Sequence, residues 1–293
     1  IYFRMMLIGF FEGLESDRGI AWRVADSLSL RSFLRLDIDD RTPDHSTLSK
    51  TRRLISEDSH LAIFKWVLHE LAQRGLLKGK TVGIDATTLE ANAAMRSIVN
   101  RETGLTYREY LKTLAEDGKQ DPESLKQMDR KRKKRVTNKE WVNPNDPEAE
   151  ITKMKTGQTH LAYKVEQAVD LETGAIIAVT THSGATGDTT SIQETLPTAG
   201  ELIADEIATP TSKGKYEVNQ ESIEEVVTDK GYHSNKILAA VNEMGVRSYI
   251  SEPDRGRRNW KGKEDQKEIV YANRRRMKGD RGKSMVRQRA EKV

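Results

Sequence analysis

Apolar positions in the first 75 residues recur at helical spacing. In RGIAWRVADSLSLRSFLRL, Ile20, Val24, Leu28 and Leu30 fall on one face, and in HLAIFKWVLHELAQRGLL, Leu61, Phe64, Leu68 and Leu71 form a stripe. Between them, Pro43 followed by Asp44 or Ser46 offers the start of a short helix bearing Lys50, Arg52 and Arg53. Short helices with a basic one among them fit a helix-turn-helix-like DNA reader or an ordinary small bundle. A helical domain over 1–75 is expected.

After Gly75 and Gly79 the pattern becomes that of strands. TVGIDATTLEAN (81–92) runs Val82, Gly83 and Ile84 into a carboxylate, Asp85. AYKVEQAVD and AIIAVTTHSG, joined by the turn LETG, read as a hairpin with its pattern at Val165, Ala168, Ile176, Ala178 and Thr180; Asp170 is a turn residue without chemistry. DTTSIQETLPTAGELIA reads as a helix, IEEVVTD as a strand, SNKILAAVNEMG as a helix stopped by Gly245, and VRSYIS as another strand. Residues 96–150 interrupt this order. Tyr107, Tyr110, Leu111 and Leu114 mark one amphipathic helix, RKRKKR (130–135) crowns a second, and Pro122, Pro144 and Pro147 punctuate the stretch, which predicts a charged helical insertion. The sum is an α/β chain: a mixed sheet flanked by helices.

Composition narrows the class. The 293 residues are 36% hydrophobic and 32% charged, with mean hydropathy −0.70. No run approaches the roughly 18 apolar residues of a membrane span. The opening IYFRMMLIGFF contains Arg4 and lacks a small-residue cleavage site, which excludes a signal peptide; starting at Ile1, the chain is expected to be a fragment. Cysteine is absent, so disulfides and thiolate metal sites are excluded and a cytoplasmic location fits. The six histidines form no His-x-x-x-His pair, which disfavours zinc. From Arg255 to Val293 there are 15 Lys and Arg against 5 Asp and Glu, a net of +10, so the rest carries −6 of the overall +4. A basic C-terminal arm (255–293) on an acidic body points to nucleic acid; the bland alternative is a solvated tail, and the 130–135 run divides the same way.

Asp85 finds an echo in EVVTDKGYH (225–233), where Val226 and Val227 lead to Asp229. Either aspartate alone reads as a turn or cap residue. Together they ask for more, because catalytic groups in such sheets gather at the carboxyl ends of strands. Two converging carboxylates repel unless a cation lies between them, and hard oxygen ligands select Mg²⁺ or Mn²⁺. Such ions support phosphodiester cleavage.

These residues resemble the DDE transposases of bacterial insertion sequences, whose catalytic core is ribonuclease-H-like. The resemblance covers nearly the whole chain. DSLSLRSFLRLDIDDRTPDHSTLSKTRRLI (26–55) is similar to their helical N-terminal domain, TVGIDATTLEANAA to the strand of the first acid, residues 141–196 to the intervening region, VVTDKGYHS to the second acid, and RGKSMVRQRAEKV to the helix leading to the third. The resemblance implies a ribonuclease-H-like DDE domain over 76–293 after the helical domain of 1–75. It also implies cleavage at transposon ends followed by attack of the freed 3′-hydroxyl on target DNA. Asp85 and Asp229 would bind metal, with Lys230, Tyr232, Arg287 and Arg289 near phosphates. The partners implied are double-stranded DNA and, as a compatible assembly, a homodimer, with no membrane. One departure matters: the family's third acid commonly follows a valine in a Val-Glu-Arg phrase, which would place it beyond Val293 and leave this chain nearly inactive. Glu291, four residues after Arg287, is the visible candidate for a catalytic, metal-binding acid, with a surface ion pair to Arg287 as its alternative. A DNA-binding remnant without catalysis and a nuclease on the same fold are the competing readings.

Overall fold

Short capped helices make up the first of two units, residues 1–67. They are α1 (Tyr2–Glu12), α2 (Asp17–Ala25), α3 (Leu28–Leu34) and α4 (His45–Leu54); α5 (Glu57–Gln73) continues into the second unit, 68–293. The computed structural model describes residues 1–115, 121–132, 136–154, 156–208, 218–254, 256 and 258–293. Ser16, Ser27 and Asp44 each accept a first-turn backbone N–H, from Gly19 at 3.1 Å, Leu30 at 3.3 Å and Thr47 at 2.7 Å. Each bond satisfies a donor that the helix start leaves open. The bonds from Thr47 and Ser46 hold the Asp44 carboxyl down at about 2. Met5, Ile8, Ile20, Val24, Leu34 and Leu48 form the core of this unit. Leu28, expected on the face of Ile20 and Val24, is exposed instead. The helix breaks at Asp26, and the Ser27 cap starts a new one out of phase.

The second unit runs β1 (Thr81–Glu90), β2 (Val99–Asn100), α6 (Tyr107–Leu114), α7 (Pro122–Lys131), β3 (Trp141–Val142), β4 (Glu150–Lys153), β5 (Thr159–Asp170), β6 (Ile176–Ser183), α8 (Asp188–Ala208), β7 (Glu225–Thr228), α9 (Asn235–Glu243), β8 (Arg247–Ile250), α10 (Glu264–Lys278) and α11 (Asp280–Lys292). The sheet has the order β5-β1-β7-β8. Beyond β5 lie β4, beside Thr159–Ala162, and β6, beside Tyr163–Val169. Strand β5 is antiparallel to both β6 and β1, whereas β1, β7 and β8 are parallel, with α9 as the crossover between the last two. Asp170 closes the β5–β6 hairpin as expected, its Oδ1 accepting the Glu172 amide at 2.8 Å. Its Oδ2 also accepts the amides of Lys78 and Gly79, at 2.6 and 3.0 Å, which ties the hairpin to the approach to β1.

The insertion is more than a helical hairpin. Its strands β2 and β3 pair, and Ala91, Ile98, Trp141, Ala149 and Leu161 form a small core. Tyr107 and Tyr110 both meet Trp141 edge-on, at 5.1 and 5.2 Å between ring centroids. The aromatic residue between prolines, Trp141, is what gives the segment an interior. Of the basic run 130–135, Lys133, Lys134 and Arg135 lie outside the described residues, as does Arg255.

The C-terminal stretch is not a free arm. Helices α10 and α11 pack on the sheet, with Met285 in a cluster with Leu171, Val227 and Tyr249. Several of the cations that suggested an arm are committed inside the unit. Arg274 and Arg258 bind Glu252, at 2.5 and 2.9 Å, Arg276 donates to the Ser248 carbonyl at 2.9 Å, and Lys292 donates to the Leu171 and Glu172 carbonyls at 2.6 and 2.8 Å. A guanidinium half-buried against a sheet end needs such acceptors.

Candidate active site

The β1–β7 register sets the segments bearing the two sequence-predicted aspartates side by side. Thr81 lies opposite Glu225, Val82 opposite Val226 and Gly83 opposite Val227. The pairing ends there: Asp85 follows two residues later within β1, and Asp229 comes one residue after the end of β7. Gly83 and Val227 lie on the face that α11 covers, and side chains alternate along a strand, so Asp85 shares that face within β1. Asp85, expected at a strand end, stands within β1, because antiparallel pairing with β5 continues to Glu90 after the parallel pairing with β7 has ended at Gly83.

Helix α11 is pinned along this face at three points. At its start Arg281 reaches Glu225 at 2.7 Å, in the middle Met285 is buried, and near its end Arg289 Nη1 donates to Asp85 Oδ2 at 2.7 Å. Burial alone would raise the Glu225 carboxyl, but Arg281, Thr81 and Arg247 together hold it below its ordinary value. The last residue, Val293, rests against β1 where a Cβ on Gly83 would come within 2.9 Å of it and within 2.6 Å of Leu171. Only glycine leaves room for α11 to close on the strand here. The Val293 carbonyl accepts from Gln167 Nε2 at 3.4 Å, and Asp85, Thr87, Val165, Gln167 and Val293 line one pocket.

Asp229 caps a single helical turn, Lys230–Tyr232, with Oδ1 accepting the Gly231 amide at 2.8 Å. A carboxylate overlooked in the sequence stands beside it. Asp188 Oδ2 and Asp229 Oδ1 lie 2.2 and 3.0 Å from the point a Gly231 Cβ would occupy, so the two oxygens are at most the sum, 5.2 Å, apart. Asp188 Oδ1 is held by Lys164 Nζ at 2.6 Å, and Lys164 also donates to Ser191 Oγ at 2.9 Å and to the Thr186 carbonyl at 3.2 Å. Next along the same face of β5, Glu166 is fully buried, accepting from Tyr232 at 2.8 Å, from Ser191 at 2.5 Å and from Thr195. Burial, then the Glu166 charge, pushes the Tyr232 hydroxyl far above the ordinary tyrosine range, so it stays a donor.

The remaining sequence candidates separate. Tyr232, expected near phosphates, is interior with its hydroxyl on Glu166. Arg289 is mostly buried, its side chain 14% exposed, and faces Asp85 rather than outward. Lys230 and Arg287 are exposed and form no ion pair among the described residues. Glu291 is exposed as well. It lies two positions, about 200° around a helix, from Arg289, so α11 does not bring it to Asp85. Among the described residues no three His, Asp or Glu side chains group closely enough to hold a metal ion. Asp85 and Asp229 carry hard oxygen donors of the kind that suits Mg²⁺ or Mn²⁺.

Known families match both units. Residues 126–292, more than half of the chain, match the family model described as "Transposase DDE domain", and residues 1–54 match "Transposase domain (DUF772)". Asp229 falls inside the longer match and Asp85 precedes it. No curated protein matches the chain.

Proposed function

Since the chain belongs to the transposase DDE-domain family, we propose that Asp85 and Asp229 are its catalytic carboxylates. The family makes the protein a DNA transposase of the insertion-sequence type with a ribonuclease-H-like core, an enzyme of metal-dependent phosphoryl transfer on DNA. The pairing of β1 with β7, which sets the segments bearing the two aspartates side by side, supports the finer assignment. They would hold Mg²⁺ or Mn²⁺, which when bound supplies water activation and charge stabilisation at the phosphorus.

The rest is done by side chains. Arg289 orients the Asp85 carboxylate and the Gly231 amide orients that of Asp229. Lys230 and Arg287, exposed beside Asp229 and on α11, are suited to the DNA phosphates. The element's ends are cut first, and the freed 3′-hydroxyl then attacks the target within the same site. Glu291, on another face of α11 from Arg289, is not the third carboxylate. A homodimer remains compatible with this reading.

The test is Mn²⁺ binding, followed by electron paramagnetic resonance, and strand cleavage of DNA carrying the element's ends. Asp85→Asn and Asp229→Asn should each weaken binding at least about tenfold and abolish whatever cleavage the chain supports, while Glu291→Gln should change neither. Wild-type Mn²⁺ binding by the double aspartate variant would refute the assignment.

A further inference from the structure

We propose that Glu166 is a positioning residue that sets Asp229 through Tyr232; this rests on the metal reading of Asp229. A carboxylate at the centre of a sheet, with no exposed surface, is costly unless its lone pairs are satisfied. Glu166 achieves this with three hydroxyls, Tyr232, Ser191 and Thr195, and with no direct cation among the described residues. An apolar residue would fill the same place with less desolvation, so stability alone does not account for a glutamate.

Its partners do. Tyr232 ends the turn that Asp229 begins, and Asp229 Oδ1 bonds the Gly231 amide inside it. The phenol therefore fastens that turn to the middle of β5, 2.8 Å from Glu166 Oε1. Ser191, on the same oxygen, is also bonded by Lys164, whose ammonium holds Asp188 next to Asp229. Thus β5 fixes the Asp229 turn from one side and its carboxylate neighbour from the other. Thr195 bonds the opposite oxygen, Oε2, and has no link to the turn. A misplacement on the order of 1 Å at a reacting centre costs about a hundredfold in rate, and partners behind metal ligands are typically worth 10–100-fold in affinity.

Two variants of the full chain separate positioning from packing. Tyr232→Phe and Thr195→Val each remove one hydroxyl from Glu166 and keep the side chain's shape, but only the first frees the Asp229 turn. Mn²⁺ binding by electron paramagnetic resonance should weaken about tenfold in Tyr232→Phe and stay within about twofold of wild type in Thr195→Val. Both should melt lower than wild type by similar amounts. Equal weakening in the two, or none in Tyr232→Phe, would overturn the proposal. Asp229→Asn is the reference: if it binds Mn²⁺ like wild type, the metal reading falls and this proposal with it. If it loses binding while Tyr232→Phe keeps it, only the positioning role falls.

Discussion

Arg289 shows how far a single side chain's role depends on its surroundings. In the sequence it is one cation among many near the C-terminus, and phosphate contact is the natural reading. In the fold it is mostly buried, with Nη1 on Asp85 and with Nε lacking a hydrogen-bond partner among the described residues. A guanidinium on a prospective metal ligand competes with the ion for the same oxygen and repels it. Arg289→Gln should therefore raise Mn²⁺ affinity on the order of tenfold, read by the same titration. Weaker binding would mean that Arg289 matters more for aiming Asp85 than for competing at it. Asp85 and Asp229 were legible because each ends an apolar run. Lys164 and Glu166 were not, since polar residues alternating in a strand read as a solvated face. Here that face is covered by α8, whose Ser191 and Thr195 receive them.

At the level of elements, the strands and helices of the second unit largely follow the sequence pattern, while their order in the sheet does not. Nothing in TVGID or EVVTD reveals that β1 and β7 are neighbours; that follows from crossover geometry and pairing. The edge of the sheet is equally hidden. The buried Asn273 of α10 donates through Nδ2 to the Ile250 carbonyl at 2.8 Å and accepts the Ile250 amide on Oδ1 at 3.0 Å, standing in for a strand beside β8. Asn273→Leu keeps the branched shape and leaves two buried backbone groups without partners, at about 1–3 kcal/mol each. Urea unfolding should show a drop in stability of roughly 2–4 kcal/mol. A drop below about 0.5 kcal/mol would show that water replaces the amide.

For the molecule as a whole, net charge alone does not say which cations are free to meet DNA. The +10 of residues 255–293 includes cations tied to Glu225, Glu252, Asp85 and backbone carbonyls. Lys230 and Arg287 are exposed with no such partner among the described residues, as are Lys261, Lys263, Arg275 and Lys278. Neutralising Lys230 and Arg287 to glutamine should make the salt slope of DNA binding shallower by about 0.9 for each phosphate no longer neutralised, with the melting temperature unchanged. Arg281→Gln should do the reverse, lowering the melting temperature because Glu225 is left buried and charged. An unchanged slope in the double variant would place DNA on another face. The register of three residue pairs between β1 and β7 has a consequence for how such a chain varies over generations. Residues gained or deleted in the loops between Glu90 and Glu225, outside β5 and α8, leave the β1–β7 alignment intact, because the sheet measures it from Thr81 and Glu225. One residue added between Val82 and Asp85, or between Val226 and Asp229, turns an acid to the opposite face of the sheet. The chemistry is thus insulated from drift in loop length and exposed to a slip of one codon in the short strands that frame it.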